Sequence, residues 1–402
     1  MSNKQLASSK RLVKGYKYRL YPTLLQAIIL NQYLGCGRYV YNRLLAETSD
    51  QYQNWLQDNT FLKPDVSPCA LTKASTTLRT HTDTPWLGAV PSIILQQKAI
   101  DLASAYTNFF SHKRGYPKFK KKGYNDSFRI VGQDSIRIVP EGIILPKMKE
   151  PIEIRWSRDL PSVPTSYTVT RNSAGEYYIS FICEYTPNRP SGTGKTGVDL
   201  GIKNLAHLST GEVIPNPRPY ERAQKHLAHL QRKLSKRIKD SKNYHKLRVK
   251  IAKLHQYIHN FRLDYFHKLT SRLVRENKAI AIEDLCVSNM VRNHKLSKSL
   301  LDSAFGLFRT ILTYKVLESS GTFLFIADRW YPSTQLCNHC GQLPTSKIKL
   351  GVYEWTCEHC GTIHNRDWNA SKNLEALIDL TGVEDGRRII PVPPYTQHFA
   401  VL

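Results

Sequence analysis

The sequence predicts a multidomain protein that combines a β part and an α/β part, with a helical segment near the N-terminus. Three observations predict this fold class. Residues 25–110 carry apolar side chains at helical spacing, residues 127–184 alternate like β-strands, and from residue 196 strands and helices alternate. At 402 residues the chain is long enough for two to four structural units.

The first half begins with a predicted strand at residues 16–22, followed by the mostly helical segment. A polar loop with prolines interrupts the helices at residues 58–68. A lone strand ahead of the helices is expected if they are an insert in a β-barrel. The other barrel strands are predicted at residues 127–139, 152–156, 166–170 and 176–184, with a turn at 172–175.

The second half has the alternation of an α/β domain. Its predicted elements are a strand and hairpin from residue 196, two amphipathic helices broken near 240–243, a strand at 279–282, a helix at 303–318 and a strand at 322–326. Residues 381–402 contain three prolines and lack periodicity, so we expect them to be disordered or loosely docked.

The balance of charge indicates the class of partner. Lysine and arginine exceed aspartate and glutamate by 58 minus 32, a formal net charge of +26. Such an excess is typical of proteins that bind an extended polyanion. Because no apolar run approaches the roughly 20 residues of a membrane span, we expect nucleic acid rather than a lipid surface. The lack of a secretory signal predicts a cytoplasmic protein, whose buried thiols are Cys36, Cys69, Cys183 and Cys286.

A short basic segment interleaves cations with aromatic rings. Its six cations lie beside Tyr116 and Phe119 and are Lys113, Arg114, Lys118, Lys120, Lys121 and Lys122. Glycine and proline within the segment disfavour a helix. The pattern therefore predicts a basic loop that grips a phosphate backbone and offers rings for stacking. A solvated linker is the alternative interpretation.

A second basic region lies on the two amphipathic helices. Apolar residues recur there every three or four positions and would pack on a core or on each other: Leu227, Leu230, Leu234, Ile238, Leu247, Ile251, Leu254 and Ile258. The outward cations predicted to bind nucleic acid include Arg232, Lys233, Lys236 and Arg237. An isolated charged helical hairpin would show the same pattern.

Two CxxC pairs near the C-terminus predict a zinc site. Sixteen residues separate Cys337 and Cys340 from Cys357 and Cys360, a spacing at which four thiolates can surround one Zn²⁺. A glycine follows each pair, where a tight knuckle needs one. Disulfides are the alternative, which a reducing compartment disfavours.

Three acids stand at the ends of predicted core elements. Asp199 interrupts a short apolar strand, Glu283 ends a buried strand, and Asp367 lies near the start of a helix. A buried carboxylate is costly without compensation, and carboxylate oxygens suit Mg²⁺. Singly, each acid could be a helix cap or an ion-pair partner. As an ordered set they resemble the RNase H-like RuvC nuclease site, in which two Mg²⁺ ions would promote phosphodiester hydrolysis.

Together these segments resemble the TnpB family, the RNA-guided nucleases of bacterial insertion sequences that are related to compact type V CRISPR effectors. The resemblance extends to about residue 380 and rests on YKYRLYPT (16–23), GCGRYVYNRLL (35–45), GYPKFKKK (115–122), GVDLGIKNLA (197–206), QRKLSKRIKDSKNYHK (231–246), IEDL (282–285), RWYPSTQLCNHCG (329–341), CEHCG (357–361) and HNRDWNASKNL (364–374).

The resemblance implies a wedge-like β-barrel with a helical recognition insert, and a RuvC domain with an inserted zinc ribbon that binds target nucleic acid. The implied boundaries are 1–28 and 113–192 for the barrel, 29–112 for the insert, 193–330 and 365–380 for the RuvC domain, 331–364 for the zinc ribbon and 381–402 for the tail.

The resemblance also implies an activity. It gives Asp199, Glu283 and Asp367 the catalytic, Mg²⁺-binding positions, gives zinc to the four cysteines, and lets Arg366 contact the scissile phosphate. A monomer would hold a noncoding guide RNA and cut double-stranded target DNA. The alternatives are a nuclease-inactive guided DNA binder, a transposase acting in strand transfer, and a zinc-ribbon nucleic-acid-binding protein without catalysis.

Overall fold

The computed structural model describes residues 12–380 except 59, 124–125, 133–135, 188, 320 and 350. Within this range the chain forms two compact units, residues 12–185 and residues 186–380. The predicted disordered tail at 381–402 lies outside the described residues. None of the helices described is long and apolar enough to span a membrane.

The first unit contains seven strands and three α-helices among its described residues. They are β1 (Leu12–Tyr21), α1 (Leu24–Gln57), α2 (Pro68–Thr80), α3 (Ser92–Phe110), β2 (Asp126–Val131), β3 (Arg137–Val139), β4 (Gly142–Ile144), β5 (Glu153–Arg155), β6 (Ser166–Arg171) and β7 (Tyr177–Tyr185), with a short 3₁₀ helix at Pro85–Ala89 between α2 and α3. The predicted helical segment and its interruption at residues 58–68 are confirmed.

Helix α1 begins where the sequence supplies a complete cap. Thr23 Oγ1 accepts a hydrogen bond from the Gln26 N–H, and the Gln26 side-chain oxygen accepts one from the Thr23 N–H. This reciprocal pair satisfies two backbone donors near the helix start. Apolar residues of α1 and α3 then pack with those of the strands into one core, which includes Leu30, Leu102 and Phe128.

The sheet of the first unit is antiparallel, with strand order β2-β6-β7-β1-β5. It does not close into the predicted barrel, because β2 and β5 are its two edges and no ladder joins them among the described residues. The single strand expected at residues 127–139 is divided between β2 and β3, and β3 pairs only with β4 in a separate hairpin. The sheet of the first unit is therefore open at β2 and β5 within the described residues.

The second unit contains an α/β sheet, as predicted. Its described elements are β8 (Gly194–Leu200), β9 (Asn204–Leu208), β10 (Val213–Pro215), α4 (Pro219–Ser235), α5 (Lys242–Glu276), β11 (Asn277–Ile282), α6 (Val287–Met290), α7 (His294–Ser303), α8 (Phe305–Leu317), β12 (Phe323–Ile326), β13 (Glu354–Thr356), β14 (Ile363–Asn365) and α9 (Arg366–Leu380). The main sheet has the order β10-β9-β8-β11-β12. Strands β8, β11 and β12 are parallel, whereas β9 and β10 run antiparallel to their neighbours.

The alternation of side chains along β11 determines what covers each face of this sheet. Ile280 and Ile282 belong to a core with residues of α5 and α8, whereas Ala279 and Ala281 belong to a core with residues of α9. Successive residues of a strand point to opposite faces. The larger side chains therefore face α5 and α8, and the small alanines face α9.

The two basic amphipathic helices form as predicted, and α4 and α5 pack against each other. Helix α5 begins after Ser241, whose hydroxyl accepts a hydrogen bond from the Tyr244 N–H. Leu227 and Leu230 are buried, but Ile238 is 83 % exposed. The expected packing of Ile238 is wrong, because helix α4 ends at Ser235 and its apolar stripe ends with it.

The four isolated cysteines differ in their exposure. Cys36 and Cys183 are buried, as predicted. Cys69 is exposed and Cys286 is half-buried, so the prediction of a buried thiol is wrong for these two. Each lies near the start of a helix, Cys69 at the second residue of α2 and Cys286 just before α6. The first turn of a helix at the surface leaves such a side chain open to solvent.

Candidate metal centres and nucleic-acid surfaces

Three acidic side chains meet at one edge of the second unit's sheet. Asp199 lies near the end of β8, Glu283 follows the last residue of β11, and Asp367 lies in the first turn of α9. Because β8 and β11 are parallel neighbours, their carboxyl ends reach the same edge. Burial raises the pKa of Asp199, and the charges of Glu283 and Asp367, which are close enough to act on it, raise it further. The structure therefore brings the predicted triad together.

Helix α9 reaches this edge because Gly197 permits a close approach to β8. A Cβ atom at Gly197 would lie 1.9 Å from the carbonyl oxygen of Ser371, so no side chain fits there. Trp368 Nε1 donates a hydrogen bond of 3.0 Å to the carbonyl oxygen of Ser209. The Gly197 N–H in turn donates to Ser209 Oγ. The start of α9 is thus fixed against the strand that carries Asp199.

Burial disfavours ionisation of two of these acids. Asp199 is 7 % exposed, and burial, followed by the charges of Glu283 and Asp367, raises its pKa well above the usual range. Burial also raises the pKa of Glu283. The positive charge of Arg366 acts to lower both pKa values. A bound divalent cation would favour the ionised forms.

Asp284 follows Glu283 directly but has other partners. Arg309 Nη1 and Arg329 Nη2 each donate a hydrogen bond of 2.6 Å to its carboxylate. Burial acts to raise the pKa of Asp284, but these hydrogen bonds and charges give a net lowering. Of the two adjacent acids, Glu283 is therefore the one left for a metal ion.

Sequence reasoning missed His207. It lies on β9 directly opposite Asp199 in the ladder. Its Nε2 atom is 3.5 Å from Asp367 Oδ2 and 3.1 Å from Asn204 Nδ2. No local motif marks this residue, because its position opposite Asp199 follows from the register of the hairpin after β8.

The four predicted zinc ligands converge. Their sulfur atoms all lie within 4.8 Å of one another, and the Sγ atoms of Cys337 and Cys360 are 3.7 Å apart, those of Cys340 and Cys357 3.6 Å. Tetrahedral zinc with Zn–S bonds of about 2.3 Å requires sulfur separations of about 3.8 Å. The donor set therefore fits one Zn²⁺ ion. Among the described residues this is the one group of three or more such side chains close enough to hold a single ion.

The two cysteine knuckles repeat one turn. In each, the first cysteine's N–H donates to a carbonyl five residues later, at Gln342 and Thr362, with distances of 3.0 and 2.9 Å. Gly341 and Gly361 have φ angles of +72° and +71°, which confirms why the pattern places glycine there. Sequence reasoning overlooked the buried His364, whose Nε2 lies 3.0 Å from Cys337 Sγ.

Helix α9 holds the first knuckle through Asn369, which is 2 % exposed. Asn369 Nδ2 donates to the Leu336 carbonyl at 2.7 Å, and the Asn338 N–H donates to Asn369 Oδ1 at 3.0 Å. Asn369 therefore hydrogen-bonds to the backbone on both sides of Cys337. Asp367 lies two residues before Asn369, so the acid shares one turn of α9 with the residue that holds the knuckle.

A second connection reaches Glu283. Ser333 Oγ donates to Glu283 Oε1 at 2.5 Å, and Asn373 Nδ2 donates to the Ser333 carbonyl at 2.7 Å. The segment leading into the first knuckle is therefore bonded both to an acid of the triad and to α9.

The predicted basic loop is anchored to α1. The Lys120 N–H donates to Asn42 Oδ1 at 2.7 Å, and Asn42 Nδ2 donates to the Lys120 carbonyl at 3.0 Å. The Tyr116 hydroxyl lies 2.9 Å from Ser49 Oγ. These contacts argue against a solvated linker. The loop's cations are exposed: Lys113, Arg114, Lys118, Lys120, Lys121 and Lys122.

The basic residues predicted on the helical pair are also exposed. Arg232 and Lys233 occupy the last turn of α4, and Lys236 and Arg237 follow in the turn before α5. Arg366 is only partly exposed and lies beside Asp367 at the start of α9. The cations of the basic loop therefore belong to the first unit, whereas those of the helical pair and Arg366 belong to the second.

Three family models match separate parts of the chain. The model described as "Probable transposase" matches residues 166–294, and "Cas12f1-like, TNB domain" matches residues 305–374. A model described as "Helix-turn-helix domain" matches residues 12–55, although the structure folds this range as β1 and most of the single helix α1.

Similar proteins span nearly the whole chain. A Streptomyces pristinaespiralis protein named "Putative RNA-guided DNA endonuclease" is 38 % identical over 370 residues, covering 91 % of this chain and 90 % of the relative. The Escherichia coli (strain K12) protein "Putative RNA-guided DNA endonuclease InsQ" is 33 % identical, covering 91 % and 92 %. The solved structure titled "Cryo-EM structure of the Cas12f1-sgRNA-target DNA complex" has a similar fold, with a TM-score of 0.51 at 13 % identity, over 91 % of this chain and 99 % of that one.

Proposed function

The chain belongs to the TnpB family, and from this premise we propose that it is an RNA-guided DNA endonuclease of a transposable element. The observation that carries the proposal is the meeting of Asp199, Glu283 and Asp367 at one sheet edge, with the pKa of Asp199 raised by burial and by the other two acids. Three acids gathered in this way are best explained by binding of divalent cations. We assign the site to a RuvC-like nuclease centre.

The strand order supports this assignment. Three antiparallel strands, β10, β9 and β8, are followed by the parallel strands β11 and β12, as expected for an RNase H-like sheet. The acids lie at the carboxyl ends of β8 and β11, where α/β sheets place their ligands. The intact acid set favours a nuclease over a guided binder that has lost catalysis.

The three acids would hold Mg²⁺. When bound, two such ions activate water on one side of a phosphodiester and neutralise charge on the leaving oxygen. Because two ions can be shared among three carboxylates, the acids do not need the tight convergence of the cysteines. Ser333 holds Glu283 in place, and His207, which is in contact with Asn204, lies beside Asp367. Arg366 adds a positive charge that would attract the phosphate.

The zinc ribbon would act as a structural support for this centre. Four thiolates leave no open coordination position, which is the arrangement of structural rather than catalytic zinc. Through Asn369 and Ser333, the first knuckle is bonded to the helix of Asp367 and to Glu283. Loss of zinc would therefore loosen two of the three acids.

The guide RNA supplies the sequence specificity in this proposal, and the protein supplies basic surfaces that bind phosphates without reading sequence. The candidate surfaces are the basic loop in the first unit and the exposed cations of the α4–α5 turn. The domain boundaries implied by the family resemblance belong to the proposal, as does a monomer holding one guide RNA and one target duplex.

The second candidate function is a transposase that joins strands itself. The description "Probable transposase" of the model over residues 166–294 favours it. The order of the acids along the chain, Asp, Glu and Asp, differs from the Asp, Asp, Glu order expected of such a transposase. We therefore place it second.

Coexpression with the flanking DNA of the element tests the proposal. The full chain should copurify with a discrete RNA, and that RNA, given a new guide, should direct cutting of a matching plasmid in Mg²⁺ but not in EDTA. Copurified RNA without cutting would indicate a guided binder. Strand joining without RNA would indicate the transposase.

A further inference from the structure

The first unit contains a cavity of about 180 Å³ whose walls are mainly aromatic. Tyr106, Phe109 and Phe110 line it from the end of α3, Tyr52 from α1 and Tyr116 from the basic loop. Thr48, Lys63, Pro64 and Val66 complete the lining. A cavity of about 150 Å³ is enough to bind benzene, so there is room for one planar ring system.

The setting of the cavity indicates the kind of ring. The basic loop starts directly after α3, and the N–H groups of Lys113 and Arg114 both donate to the Asn108 carbonyl. The basic loop therefore begins beside the aromatic pocket, to which its Tyr116 contributes a ring and Lys63 a positive charge. Phosphate-binding cations beside aromatic faces are the arrangement that binds single-stranded nucleic acid, with bases stacked on the rings.

The hydroxyl groups of the pocket add a polar edge. Thr48 Oγ1 lies 2.7 Å from both the Leu44 carbonyl and the Tyr106 hydroxyl. Since the Thr48 proton is used on the carbonyl, Tyr106 must be the donor to Thr48. The Tyr106 oxygen also lies 3.3 Å from the Tyr116 hydroxyl, and its remaining lone pair suits the exocyclic amino group of a base.

We propose that this pocket binds one unpaired base of the guide RNA, splayed out of its strand. The inference rests on the proposed function, which supplies the RNA. We choose the guide RNA rather than DNA because it is the strand present before any target is bound. The rings then hold the base by stacking while the basic loop holds the adjoining phosphates.

The test uses the full chain purified with its copurified RNA and no DNA. After irradiation at 254 nm and digestion, mass spectrometry should find a ribonucleotide attached to a peptide that contains Tyr52 or residues 106–116. An adduct that forms only after target DNA is added, or a complex that crosslinks only elsewhere, would overturn the proposal.

Two variants sharpen the test. Val66→Phe should fill the cavity, abolish the adduct and weaken RNA binding by about 5-fold or more, the loss of one stacked base. Its salt dependence should not change, because no phosphate contact is lost. Val163→Phe, at a position 65 % exposed in the same unit, adds the same ring elsewhere and should bind RNA like the parent.

Phe110→Ala covers the case in which Val66→Phe does not fold. Phe110 is 53 % exposed, so its removal should spare folding while it lowers the yield of the adduct. Unchanged RNA affinity and crosslinking in folded pocket variants would exclude the pocket. If the chain binds no RNA at all, it is the proposed function that fails, so the two failures are distinguishable.

Discussion

Ser333, which lies four residues before the first cysteine of the zinc site, donates a hydrogen bond of 2.5 Å to Glu283. This contact joins the acid centre to the metal-binding knuckle. Ser333→Ala should slow DNA cutting by about 10- to 100-fold, since a hydrogen bond to a charged group contributes about 1.5–3 kcal/mol. Zinc content should remain at the parent's level, and Ser333→Thr, which keeps the hydroxyl, should recover most of the rate. Equal cleavage rates for parent and Ser333→Ala would show that the contact has no catalytic role.

The acid triad gives the second prediction. Asp199→Ala, Glu283→Ala and Asp367→Ala should each abolish target cutting while RNA affinity stays unchanged, because each removes a metal ligand without altering a basic surface. Asp379→Ala is the matched control on α9, since Asp379 is exposed and forms an ion pair with Lys195. Robust cutting by two of the three triad variants would refute the assignment.

Asp199 also gives a prediction about stability without metal. Because its pKa in the folded state lies above the usual range, the folded state holds the proton more tightly than the unfolded state. Stability therefore falls as pH rises through the interval between the unfolded and folded pKa values, by about 1.4 kcal/mol for each pH unit that separates them. Asp199→Asn should raise the Tm in EDTA at pH 7.5, and the difference should shrink towards pH 4.

Magnesium should reverse that ranking, because the ion stabilises the folded parent, whereas the variant has lost one of its ligands. Thermal unfolding of both proteins with and without Mg²⁺ measures the effect. A Tm for Asp199→Asn at or below that of the parent in EDTA would contradict a carboxylate that is costly to ionise in the folded protein.

The cysteine cluster predicts one Zn²⁺ per chain by elemental analysis. Cys337→Ser or Cys360→Ser should lower both the zinc content and the Tm, because binding at a closed site is coupled to folding. Cys69→Ser, at an exposed cysteine outside the cluster, should change neither. A folded, active chain without zinc would be incompatible with this site.

The basic loop predicts a change in salt dependence. Neutralising Lys118, Lys120, Lys121 and Lys122 together should weaken guide RNA or target association and reduce the slope of log K against log salt, because fewer counterions are released when phosphate contacts are lost. The triad variants should keep the parent's slope. If the quadruple variant binds with the same affinity and slope, the phosphate grip lies elsewhere, with the cations at the α4–α5 turn as the next surface to test.

Much of the site could be predicted because its residues are marked by local pattern. Asp199 and Glu283 can be recognised as acids at the ends of apolar strands. The cysteines can be recognised as zinc ligands by their spacing. His207 and Ser333 carry no such mark, since their roles depend on strand register and on a contact across fifty positions of sequence. The open sheet was not foreseen for the same reason: alternation identifies strands but does not say which edges pair.

The order in which the acids occur along the chain has a consequence for synthesis. Asp367 follows Asp199 by 367 minus 199, or 168, residues and belongs to the last helix described. The ribosome therefore synthesises the third acid only after the residues of the whole sheet and of both cysteine knuckles. Nascent chains and termination products that end before Asp367 lack the third acid, so on the proposed function they would have no complete centre for cutting DNA.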